Sequence, residues 1–142
     1  MSMALVLLIA FVGLAFDFGR IYVARNEAQV YTAAAALTAA SRLDGTLAGV
    51  QKAREAVEKL PGSWNLGTQR IKDVVVEFSS DGSAWTGAPQ KDQTASRPWA
   101  YARVIAPAND LNIVFLRAVG GPANFRILAR TSAQSNPVRL TE

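Results

Sequence analysis

Asp17, Gly19 and Arg20 are the residues whose types and spacing most invite chemistry, because they follow a nearly unbroken hydrocarbon run, Met1 to Phe16 (MSMALVLLIAFVGLAF). A carboxylate at the edge of an apolar helix is costly unless it is paired or wetted. Arg20 stands at i+3 and can pair with Asp17 inside one helix, in which case the two simply mark the end of the buried segment. The functional alternative is a contact between copies. Asp17 would then meet an arginine or a freed α-amine of another chain, and in hydrocarbon such a pair penalises wrong helix registers.

Elsewhere the residues argue against catalysis. Histidine and cysteine are both absent from the 142 residues, which removes the commonest general base, the commonest transition-metal ligand and the thiolate nucleophile. A nucleophilic serine would need lysine as its base, and no serine–lysine spacing suggests it. Gly120-Gly121 follows a helical pattern and precedes a strand, the wrong order for cradling phosphate. Asp73, Glu77 and Asp81 are spaced like surface residues of one strand and its turn. A calcium site needs six or more oxygen ligands, and the spacing of Asp81, Asp92 and Asp110 predicts no such convergence. The expectation is no enzyme, no cofactor and no metal. Lys and Arg number 15 against 11 Asp and Glu. The excess is scattered singly after residue 45, without the clustering of a nucleic-acid footprint.

These residues must be carried by a long helix. From Met3 to Arg42 there is no proline, and glycine occurs only at Gly13 and Gly19. Residues 1–16 are apolar all round. Residues 20–42 (RIYVARNEAQVYTAAAALTAASR) have a polar side and a dense alanine surface, which admits a close second backbone or simply reflects helix propensity. Leu5, Leu8, Phe11, Leu14 and Phe16 are the candidate packing residues of the first half, destined for a bilayer or for the helices of other copies. Neither a basic n-region nor a small-residue cleavage site precedes Arg20, so the expectation is that a basic leader has been removed ahead of Met1; an anchor that starts abruptly is the alternative.

Beyond this helix, Asp44 or Thr46 can cap a second one over Thr46–Leu60, ended by Pro61-Gly62. The period then changes to two. Ile71–Ser79 predicts a strand, Asp81-Gly82 a turn, Ala84–Thr86 a short return strand, and Gly87–Pro98 an exposed loop. Trp99–Ala106 alternates like a central strand, with Trp99, Tyr101 and Arg103 on one face and Ala100, Ala102, Val104 and Ala106 on the other. Pro107–Val119 reads as a short helix capped by Asn109 or Asp110, and Asn124–Ala133 as a last strand. The fold class is therefore α+β: a helix-bearing segment, residues 1–45, and a globular head with a small antiparallel sheet, residues 46–142. Trp64, Trp85 and Trp99 are expected in that head's core; an exposed cluster of the three would instead suit an adhesive module.

A short apolar run, then small-x-Asp-x-Gly-Arg, then an alanine-rich helix (ALVLLIAFVGLAFDFGRIYVARNEAQVYTAAAALTAASRLDG, residues 4–45) resembles the N-terminal pattern of TadE/TadG-like proteins of the tight-adherence (Tad or Flp) pilus system. Asp17, Gly19 and Arg20 are its specific part. The resemblance implies a pilin-like, non-catalytic subunit whose leader is removed by a prepilin-type peptidase. Its helix would pass from the inner membrane, with the pilus assembly machinery, into an extracellular homopolymer on the bacterial surface. Type IV pilins carry a glutamate near the mature N-terminus, whereas positions 1–16 here hold no acid, so Asp17 would serve that purpose deeper along the helix. The alternative expectation is a single-pass accessory protein of assembly or secretion that does not polymerise.

Overall fold

The structure, a computed structural model, describes residues 2–89 and 98–136. Its first element is one continuous helix, α1 (Ser2–Arg42), about 60 Å long at 1.5 Å per residue. A tight turn follows, with Gly45 at φ +86°. Asp44 Oδ1 accepts hydrogen bonds from Thr46 Oγ1 (2.6 Å) and Thr46 N (2.9 Å), and these hold its carboxyl below the usual carboxylate range. Thr46 Oγ1 in turn accepts from Gly49 N at 3.1 Å, capping α2 (Leu47–Glu58).

A two-residue hairpin comes next, β1 (Ser63–Trp64) and β2 (Gln69–Arg70), which the sequence does not announce. The main sheet is antiparallel with order β3-β4-β5, built from β3 (Val75–Ser79), β4 (Tyr101–Asn112) and β5 (Asn124–Gln134). The expected α+β plan, a long helix, a short helix and a small antiparallel head, is the one observed.

Two clusters form the core. In the upper one, Ala35, Ala36, Ala39 and Ala40 meet Val50, Phe78, Trp99, Ala102 and Val104. In the lower one, Ala24 and Ala28 meet Trp64, Leu111, Ile113, Ile127 and Ala129. The alanine surface of α1 thus lets its own sheet lie close. Between the clusters, Thr32 is fully buried, with its hydroxyl bonded to Gln29 O and to Thr131 Oγ1, each at 3.0 Å.

Three expected elements need correction. The predicted helix Pro107–Val119 is strand as far as Asn112; only α3 (Phe115–Ala118) is helical. A register shift between Ala106 and Asn109 gives Pro107 a place where it need not donate to the ladder. Asn109 does not cap a helix. Its side chain donates to Pro107 O (3.0 Å) and accepts from Lys72 N (3.1 Å), bridging the irregularity to the neighbouring segment. Leu111 and Ile113 then resume an inward alternation that Pro-Ala-Asn-Asp conceals.

Secondly, β3 begins at Val75 rather than Ile71, because Asp73 takes φ +54° and breaks the strand. Thirdly, the return strand Ala84–Thr86 is reduced to one bridge, Phe78 to Thr86. The turn before it is held by Asp81 Oδ1, which accepts from Ser83 N (2.8 Å), Ala84 N (3.1 Å) and Ser79 Oγ (3.0 Å). Those bonds lower the Asp81 pKa. Most of the expected loop Gly87–Pro98, with Asp92, lies outside the described residues.

Trp64 and Trp99 are buried and sit in different clusters. Trp99 turns inward with Ala102 and Val104, not outward with Tyr101 and Arg103, because its backbone still bridges Gly45 ahead of the regular ladder. Trp85 is half-buried beneath Arg103, whose guanidinium stands 4.3 Å from the ring centre and is also bonded to Glu77 (Nε to Oε2, 2.7 Å). The three indoles form no exposed cluster.

Candidate functional site

The candidate site is α1 and what the head does to it. The helix is long and apolar enough to cross a membrane. Leu5, Leu8, Phe11 and Phe16 are exposed on the single chain, Phe11 by 71%, and Leu14 is half-buried. The bare surface does not stop where the head begins. Tyr22, Val30 and Leu37 lie on the face of α1 turned away from the sheet and are 76%, 60% and 65% exposed.

Asp17 lies at the lower edge of the head and is only 2% exposed. Its carboxylate accepts three backbone N–H groups of the residues that start α3: Val114 to Oδ1 at 3.3 Å, Phe115 to Oδ2 at 2.8 Å and Leu116 to Oδ2 at 2.6 Å. These are amides that a helix start leaves without intrahelical partners. Val114, the residue before α3, offers no capping side chain, so the cap comes from a helix about a hundred residues away in sequence. The carboxylate is satisfied by donors of its own chain.

Arg20, one turn on, reaches outward to the head. Nη1 donates to Asn112 O at 3.1 Å, Nη2 to Asn65 Oδ1 at 3.4 Å, and the guanidinium lies 5.9 Å from the Phe16 ring centre. The strongest partners of Asp17 and of Arg20 therefore lie in the head, with Arg20 favouring the carboxylate through space. Glu27 extends the same seam by accepting the amide of Leu66 (3.2 and 3.3 Å) in the β1–β2 turn, where Asn65, Leu66 and Gly67 are all left-handed.

The partner of Asp17 was not readable from the sequence, but one residue hints at it. Gly13, one turn before Asp17, is the seat of Phe115. A Cβ added there would lie 2.6 Å from Phe115 Cδ1 and 2.8 Å from Phe115 Cβ. Phe115 also meets Phe16 edge to face, with centroids 5.8 Å apart. Gly19 is the opposite case. It is exposed, and nothing of its own chain comes within 4 Å of an added Cβ, although glycine inside a helix costs about 1 kcal/mol relative to alanine.

Gly13→Ala is therefore expected to destabilise despite its better helix propensity, since Phe115 Cβ is backbone-tethered and cannot swing aside. Hydrogen exchange of the 114–116 amides should quicken, while that of β4 and β5 holds. Unchanged exchange at 114–116 would show that the tip adapts to the added methyl.

Among the described residues, no group of three or more Asp and Glu stands close enough to hold a metal. No curated protein and no solved structure matches the chain. Residues 1–42, which contain the apolar run, Asp17, Gly19, Arg20 and the alanine surface, match the family model described as "Putative Flp pilus-assembly TadE/G-like". The long helix is thus similar to a TadE/G-like segment of pilus-assembly proteins, over residues 1–42.

Proposed function

We propose that the chain is a structural, non-catalytic, pilin-like subunit. It is anchored in the inner membrane by α1 before assembly, is handled there by a prepilin-type peptidase and the pilus assembly machinery, and then polymerises through α1 into an extracellular filament. The observation that carries this reading is the length of the bare face of α1. Leu8, Val12, Gly19, Tyr22, Val30 and Leu37 follow one another at helical spacing along it, and all are exposed. Val30 and Leu37 stand about 21 and 32 Å beyond Phe16, the end of the apolar run, along the axis, whereas a headgroup layer adds only about 5–8 Å to the hydrocarbon on each side. Lipid cannot cover both ends of the ridge; a second copy of the helix can. Gly19, with open space above it, suits a close helix crossing.

The second reading is a membrane-anchored accessory protein that does not polymerise. It is favoured by Asp17, whose carboxylate is satisfied within its own chain.

The natural absence of cysteine allows one experiment to separate the two. Leu37→Cys is expressed in the native cells, and membrane and sheared surface fractions are probed with a maleimide and by electron microscopy. The filament reading expects thin fibres containing this chain, with Cys at 37 reactive in membranes and protected in fibres. A chain found only in membranes, with position 37 reactive throughout, is an accessory anchor.

A further inference from the structure

We propose that the tip of the head, residues 114–119, is a membrane-dipping wedge that seats in the lipid leaflet beside α1 and keeps Asp17 dry. The inference rests on the reading of α1 as a membrane anchor.

Residues 3–16 cover about 21 Å, while the hydrocarbon core is about 30 Å thick and takes about 20 residues. Apolar character resumes beyond Asp17 at Phe18, Ile21 and Tyr22, so Asp17 falls inside the near leaflet. Phe18 and Tyr22, exposed by 61% and 76%, suit that depth. Phe115 is fixed to Gly13 and Phe16, within the apolar run itself. A part of the head attached at Gly13 must enter the leaflet with it.

The tip is built for such a place. Val114, Phe115 and Val119 are exposed by 55%, 41% and 59%, while Leu116 tucks inward against the lower core. Backbone entering lipid must satisfy its own polar groups. The amides of 114–116 bond to Asp17, and those of 113 and 119–121 to carbonyls of Ala123, Leu116 and Arg117. Arg117 is exposed, and a side chain of its length can carry the charge up to the headgroup phosphates. Asp17 and the wedge then explain each other: the carboxylate ties the tip down, and the tip replaces the water that the carboxylate has lost.

The test uses the full chain in vesicles of phosphatidylethanolamine and phosphatidylglycerol, with an environment-sensitive fluorophore on Leu8→Cys, Val119→Cys or, as an aqueous reference, Ser83→Cys. Val119→Cys is expected to be blue-shifted, quenched by lipid carrying a shallow nitroxide, and several-fold less quenched by iodide than Ser83→Cys. Leu8→Cys should be quenched by a deep nitroxide. Lipid quenching at position 8 with full iodide quenching at 119 overturns the wedge and leaves the anchor standing. No lipid quenching at position 8 overturns the anchor and the wedge with it. Shielding at 119 that appears only as protein density rises assigns the tip to a neighbouring copy, which also overturns the lipid wedge.

Discussion

Asp17→Ala is expected to release residues 113–121 from α1 while β3, β4 and β5 stay folded. The substitution strips the acceptor from three backbone N–H groups at once. Leaving a buried donor unsatisfied costs about 1–3 kcal/mol, and bonds to a charged acceptor are worth more than neutral ones. Even with water entering the gap, a net loss of several kcal/mol is expected, enough to open a short segment locally. Hydrogen exchange should show it as lost protection at 114–116, with little change in the upper cluster around Phe78 and Val104. Asp17→Asn should fall between, because the amide keeps one acceptor oxygen but turns an NH₂ toward the donors. Full protection in the alanine variant would mean that the clasp contributes nothing. The same variants address assembly. If Asp17 also meets a positive group on another copy, Asp17→Asn should lose fibres out of proportion to its loss of tip protection. If the clasp is its whole role, fibre yield and tip protection should fall together.

That prediction depends on a contact the sequence shows from one side only. An isolated acid after an apolar run marks Asp17 as costly, and a resemblance in residues 4–45 marks Asp17, Gly19 and Arg20 as specific. What neutralises the acid is backbone, and backbone N–H groups look alike in every sequence. A nearly unbroken apolar run over residues 1–16, an alanine surface without proline and a threonine before Leu47 were enough to read α1 and α2, since helix propensity and capping are local. The sheet was legible where alternation is clean, at Tyr101–Ala106 and Asn124–Ala133. It was illegible at Pro107–Asn112, where a bulge shifts the period and a buried asparagine replaces a ladder contact. The β1–β2 hairpin was missed for a related reason. Its turn places Asn65 and Leu66 in the left-handed region, and a leucine there gives no turn signal; Arg20 and Glu27 hold the turn from outside.

Val30→Asp with Leu37→Asp is expected to leave the single chain intact and to abolish fibres. Both side chains are exposed in the monomer, by 60% and 65%, and substitutions at such positions usually change stability by no more than about 0.5 kcal/mol. In a filament each would leave water, where a large aliphatic side chain gains about 1.5–3 kcal/mol on burial. An aspartate in its place forfeits that gain and adds a desolvation cost. Two positions together make the contact weaker by a hundredfold or more, at about 1.4 kcal/mol per tenfold. The loss recurs at every subunit, so the threshold concentration for assembly should rise beyond what the membrane supplies. Ala48→Asp, on the exposed face of α2, is the control for an added surface carboxylate and should assemble normally. Membrane insertion should persist in the double variant, because the Met3–Tyr22 span is untouched. Anchored but unpolymerised chains would separate the two uses of α1, with its lower half serving the bilayer and its upper ridge a second copy. Normal fibres from the double variant would place the subunit contact on another face and remove the ridge from the argument.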